Sequence, residues 1–91
     1  MKSDLSKQLN IGKDTEKKLV EVGITTFAEL KDAGYEQAFI RLQALDPGAC
    51  LSLLYGLAGA IDGVKWSNHS PEKKQELQEF YHRAKRALEV K

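Results

Sequence analysis

Cys50 is the only cysteine in the sequence. No internal disulfide can form and no cysteine-rich metal cluster can be built, which suits a reducing cytoplasm. Charge of one sign is also missing: 14 basic residues stand against 13 acidic ones, a formal net charge of +1. A dedicated nucleic-acid binder is usually clearly basic, so bulk charge points to no such role. Long apolar runs are absent as well. The longest nearly uncharged stretch, from Leu42 to Ile61, is broken by Asp46-Pro47-Gly48. It is too short and too interrupted to span a bilayer. No apolar stretch follows Met1, so no signal peptide is expected. No segment alternates strictly between polar and apolar residues, which argues against surface strands. No His, Cys or carboxylate cluster has metal-ligand spacing. A nucleophile–base pair and a glycine-rich nucleotide loop are both missing. The expectation is therefore no enzymatic activity, no cofactor, no metal, no small-molecule substrate and no membrane.

What is present reads as helix. Ninety-one residues make one small domain. Ser3-Asp4 can cap a first helix through Gln8. Asn10-Ile11-Gly12 makes a corner, and a second helix runs from Lys13 or Asp14 to about Val22, with Leu19 and Val22 inward. Asp14 and Glu16 suit its positive end, and Gly23 with Ile24 suits its close. Thr26 and Glu29 spell a capping box. It opens a third helix over 27–33, closed by Gly34. A fourth follows over 35–45, with Ala38, Phe39, Leu42 and Leu45 on one side.

Residues 49–61 are apolar almost all round, so this helix is expected at the centre of the domain. Gly56 and Gly59 inside it suggest the close approach of a neighbouring helix. Ser70-Pro71 starts the last helix, with Leu77, Phe80, Tyr81, Ala84 and Leu88 inward. The reading is all-α: a compact bundle of five to six short helices around Leu51, Leu54, Tyr55, Leu57 and Ala58.

The corner is the one motif that carries chemistry. A helix, a glycine turn and a second helix make a helix-hairpin-helix-like pattern. The first amides of the second helix lack intrahelical partners, and they point outward at its positive end, where a phosphate can accept them. Gly12 would admit the phosphate, Lys13, Lys17 and Lys18 would add charge, and Ile11 would tuck under the turn. The usual DNA-binding hairpin has glycine on both sides of the apolar residue. Here the first is Asn10, which tolerates a left-handed backbone, although its side chain could crowd a phosphate. The competing reading is a purely structural corner.

The segments "LNIGKDTEKKLVEVGITTFAELKDAG", "CLSLLYGLAGAIDGVKW" and "PEKKQEL" together resemble the C-terminal domain of the TfoX family. The resemblance covers about residues 5–80, with Leu-Leu-Tyr, Gly63 and Trp66 as landmarks. It implies an all-helical, non-enzymatic domain of bacterial competence regulation, with a role in transcription. Its partner would be the DNA backbone or a protein of the transcription machinery. In that family the domain often follows an N-terminal domain, which this sequence does not include.

Other residues have plainer expectations. Trp66 is expected to staple the last helix to the central one, with a partner-binding anchor as the alternative. Cys50 is expected to be an inert core residue. His69 and His82 have no ligand cluster around them. Arg83, Lys85, Arg86 and Lys91 are expected to form a solvated face offset by Glu79 and Glu89. Near-zero net charge and the small residues 56–60 favour a second function class, a protein-interaction module or homodimer without DNA contact.

Overall fold

The computed structural model describes residues 4–8 and 10–89, with side chains to Leu88. Its described residues form a 3-10 turn, Leu5–Lys7, and four α-helices: α1 Lys13–Glu21, α2 Phe27–Leu45, α3 Leu51–Asp62 and α4 Pro71–Glu89. The fold is all-helical, as expected, with four labelled α-helices where five to six were expected, α2 being kinked at Gly34. The segment before the corner is a single 3-10 turn, so the paired α-helices of a helix-hairpin-helix are not formed there. The segments expected on either side of Gly34 are both helical and abut directly, so they are labelled together as α2. Gly34 has φ 81 and ψ 160, a non-helical conformation that kinks the helix without a loop between its arms.

Local signals explain most of the boundaries. The close of α1 has the Schellman arrangement. Gly23 is left-handed at φ 89. Its amide donates to Val20, and the amide of Ile24 donates to Leu19 at 2.9 Å. Ile24 and Leu19 are both buried in the core. The start of α2 has the full capping box, with Thr26 Oγ1 accepting from the amide of Glu29 at 3.1 Å. The Glu29 carboxylate accepts from the amides of Thr25 and Thr26. Asp4 does not cap the 3-10 turn with its side chain; its carboxylate reaches across to the amide of Phe27 at 2.9 Å. Ser3, the other residue of that expected cap, lies outside the described residues. At α4, Ser70 Oγ accepts from the amide of Lys73 at 3.1 Å, and Pro71 occupies the first turn.

Packing then orders the helices. α3 lies against α2 and α4, and α1 lies against α2 and the 3-10 turn. Leu54, Leu57 and Ala58 of α3 are buried, while Leu51 and Tyr55 pack at the edge of the core. Phe39 and Phe80 meet edge-on with centroids 6.2 Å apart, and Tyr35 meets Phe80 at the same distance. Such pairs add about 0.5–1.5 kcal/mol beyond area burial. Tyr35 also donates to the Glu76 carboxylate at 2.6 Å. Burial first, then that carboxylate, raises the hydroxyl's pKa. Lys73 lies over the Tyr35 ring and within 3.7 Å of Asp62, so this group ties α4 to both α2 and α3.

Several sequence expectations are corrected by packing. Leu45 is 44% exposed, because α2 ends there and its last turn leaves the core. Cys50 is exposed at the cap position of α3 rather than buried within it. Trp66 is 50% exposed and is no staple. His69 is buried, with its Nε2 2.9 Å from the Tyr55 carbonyl, which ties the α3–α4 loop to α3. Of the basic face on α4, Lys85 has specific contacts, to the Pro47 carbonyl at 2.8 Å and over the Tyr81 ring. Lys91 and the side chain of Glu89 lie outside the described residues.

Candidate nucleic-acid interface

The corner between the 3-10 turn and α1 is built around Asn10. Its backbone is left-handed at φ 70, the sole positive φ among described residues other than glycine. Asn tolerates this region because its short polar side chain can bond locally or turn away. Here it turns away from the corner, toward the α3–α4 loop. Asn10 Nδ2 donates to the Val64 carbonyl at 2.8 Å, and Asn10 Oδ1 accepts from the amide of Trp66 at 3.1 Å. Both polar atoms of the side chain are engaged, so it does not stand over the corner amides.

Gly59 makes this approach possible. A Cβ there would run into the Val64 carbonyl oxygen and Asn10 Nδ2. A Cβ at Gly56 would sit 3.3 Å from the Asn10 carbonyl oxygen. The close approach read from these glycines is therefore real, but what approaches is the corner and the loop, not a neighbouring helix. The small residues 56–60 are also buried inside the domain. They are thus unable to provide a face for a second chain.

Ile11 is buried at 5% exposure and holds the corner from below. Gly12 caps α1 with φ −89 and ψ 178, a conformation open to any residue. Around it a Cβ would meet nothing within 4 Å. Neither backbone geometry nor packing demands glycine at this position. No side-chain cap closes the start of α1. Among the described residues the amides of Lys13, Asp14 and Thr15 have no acceptor. Lys13 and Lys17 are exposed and form no ion pair among the described residues.

Lys18 behaves differently. Its Nζ is 3.1 Å from Asp46 and 3.3 Å from Asp14. The hydrogen bond to Asp46, then that to Asp14, raises its pKa. The same contact with Lys18 lowers the pKa of Asp46. This lysine belongs to a contact between α1 and the α2–α3 turn. A cavity of about 330 Å³ lies beside it, between the first turns of α1 and α3, with Asp14, Thr15, Asp46, Cys50 and Ser52 in its wall. Gly12, Lys13 and Lys17 do not line it, and its two carboxylates make it a poor anion site.

The family model for the TfoX C-terminal domain matches residues 1–81. The chain belongs to this family. Two solved structures share the fold of this TfoX C-terminal domain, both from Listeria monocytogenes. One, an uncharacterized protein in a triclinic crystal, is 45% identical with a TM-score of 0.82; the match covers 84% of this chain and 86% of that one. The other, a protein of unknown function in a tetragonal crystal, is 42% identical with a TM-score of 0.85, covering 88% of this chain and 99% of that one. No curated protein matches.

Of the TfoX-domain residues singled out from sequence, Gly12, Lys13 and Lys17 share the open corner, Ile11 supports it from the core, and Lys18 faces elsewhere. Asn10's part as a clamp was missed. Its signal was present, an asparagine where hairpins use glycine, but its partners lie 54 and 56 residues away.

Proposed function

We propose that this TfoX C-terminal domain is a non-enzymatic cytoplasmic module of bacterial competence and transcription regulation. It grips the nucleic-acid backbone weakly, without sequence preference, at the start of α1. The observation that carries this reading is Gly12, a glycine that neither φ nor packing requires, at an uncapped helix start with open space around it. A phosphate oxygen takes the place of the missing cap, accepting from amides at the positive end of the helix. Lys13 and Lys17 contribute charge, and Ile11 holds the turn. Lys18 assists only through its hold on Asp14, which neutralises an acid beside the site.

A titration with labelled duplex DNA at two salt concentrations tests it. Two or three phosphate contacts weaken binding about 10- to 40-fold between about 50 and 200 mM salt. Absence of binding in dilute salt, or affinity unchanged by Gly12→Asp, overturns the proposal.

The second reading is a protein partner, from the transcription machinery or a second copy of the chain. It is favoured by four large apolar residues left exposed: Val20, Ile40, Leu45 and Trp66. Light scattering across concentration, with capture from the native extract, separates it from the first.

A further inference from the structure

Trp66 is the only tryptophan in the sequence, and half of its surface is open to solvent. Among the described residues its ring stacks on no other ring and its indole N–H has no acceptor. Burying a tryptophan is one of the larger stabilising steps open to a small domain. This fold declines it while fixing the backbone beneath the ring from several sides. The Val64 amide donates to Gly59 at 2.9 Å, and the Val64 carbonyl accepts from Asn10. The Trp66 amide donates to Asn10, and the Asn68 amide donates to Lys65 at 2.8 Å, closing a turn around residue 66. A left-handed Asn10 and a bare Gly59 are both needed for this clamp. The result is a well-held loop that presents an aromatic ring.

We infer that Trp66 is a stacking platform for an unpaired base, so that the ligand of the corner is single-stranded nucleic acid. This inference rests on the backbone-gripping reading of the corner and narrows its substrate class. Asn10 bonds the Trp66 amide and stands two residues before Gly12, about 7.6 Å along the chain. A phosphate at the α1 start and a base on the ring can therefore belong to one short stretch of strand. The residues flanking the ring decide between nucleic acid and protein. Lys65, Ser67 and Asn68 are all exposed and polar. A protein anchor is ringed by packed neighbours that exclude water from it in the complex. A base needs only the ring face, with cationic side chains nearby for its phosphates. Lys65, the exposed neighbour of Trp66, supplies one beside the ring, and Lys13 opens α1 at the corner. A duplex keeps its bases stacked and paired, so it offers the ring nothing.

The ring reports its own contacts by its fluorescence. Intact protein is titrated with an oligothymidine strand and with a duplex of equal length, following Trp66 emission and, separately, a label on the DNA. The expected result is quenching by the single strand alone and single-strand affinity about tenfold or more above that of duplex. Trp66→Ala weakens single-strand binding about 5- to 100-fold and leaves duplex binding unchanged, while Trp66→Phe retains most of the affinity. The half-exposed site makes both variants foldable, which thermal melting checks. Emission unmoved by single strand, or Trp66→Ala binding like the parent, overturns the inference. If binding still falls with salt and with Gly12→Asp in that case, the corner reading stands without Trp66. Quenching that is indifferent to Gly12→Asp retains Trp66 as the contact and removes the corner. No binding of either strand removes both. An emission shift on raising protein concentration without DNA assigns the ring to a second copy and overturns the inference.

Discussion

The helix starts of this domain fall into two kinds. At α2, Thr26 and the distant Asp4 meet first-turn amides while Glu29 meets the amides of Thr25 and Thr26 just before the helix, and at α4 Ser70 meets a first-turn amide. α1 and α3 begin at Gly12 and Cys50, with no side-chain cap. Open starts leave helix amides for another acceptor, and the α1 start is also glycine-capped, with exposed Lys13 and Lys17 that form no ion pair among the described residues. The acid-lined cavity lies between the first turns of α1 and α3, and Gly12, Lys13 and Lys17 stand outside it. One sequence thus has both side-chain-capped and uncapped helix starts.

Four substitutions at three places break or sharpen that contrast, the places taken in order of their effect on stability. Gly59→Ala has the largest effect. Its Cβ strikes the Val64 carbonyl and the Asn10 amide group, so the clamp that positions the open start is forced apart. Overpacking of this kind costs about 1–3 kcal/mol, and thermal melting should fall by about 4–8 °C per kcal/mol.

Thr26→Ala comes next, removing the capping box at a cost of about 1 kcal/mol. Its partner gives the contrast a pH signature. The Thr25 hydroxyl, then the Thr25 amide, holds the Glu29 carboxyl below its ordinary range. A folded value below the unfolded one stabilises fully above the ordinary range, about 4.3. That contribution is lost as pH falls through the depressed value. Urea unfolding of Glu29→Gln and the parent should therefore differ at neutral pH and converge in acid. A gap that persists below that range would mean the carboxylate's charge is not what closes the α2 start.

Gly12→Asp has the smallest effect on stability, a gain of a few tenths of a kcal/mol at most, because aspartate supplies the missing cap. The same change places a carboxylate where the proposed phosphate sits, and DNA affinity should drop by about tenfold or more. A variant that is more stable yet binds less would put the two kinds of helix start on one scale. Loss of stability instead would mean that glycine at this position serves the fold after all.

Much of the bundle was legible because its signals are local. The Thr26–Glu29 box, the Gly23–Ile24 close, the Ser70-Pro71 start and the Leu77–Phe80–Ala84 stripe depend on residues within a few positions of one another. Gly34, expected as a helix end, does interrupt the helical backbone at φ 81 and ψ 160, and the next helix begins without a loop, so the two arms of α2 meet at a kink. For Leu45, Cys50 and Trp66, hydrophobic character suggested burial. Hydrophobicity states a preference, however, and only the position of neighbouring elements decides whether it is met.

The amino-acid order by itself determined an all-helical chain of this family, its caps and stops, and the apolar seam of α3. Spacing and capping act over one or two turns and need no partner. Tertiary structure alone decided that Asn10 clamps a loop more than fifty residues away, that Lys18 turns to Asp46, and that Trp66 faces water. Each depends on which surfaces meet when the helices pack. Side chains far apart in sequence become neighbours only then.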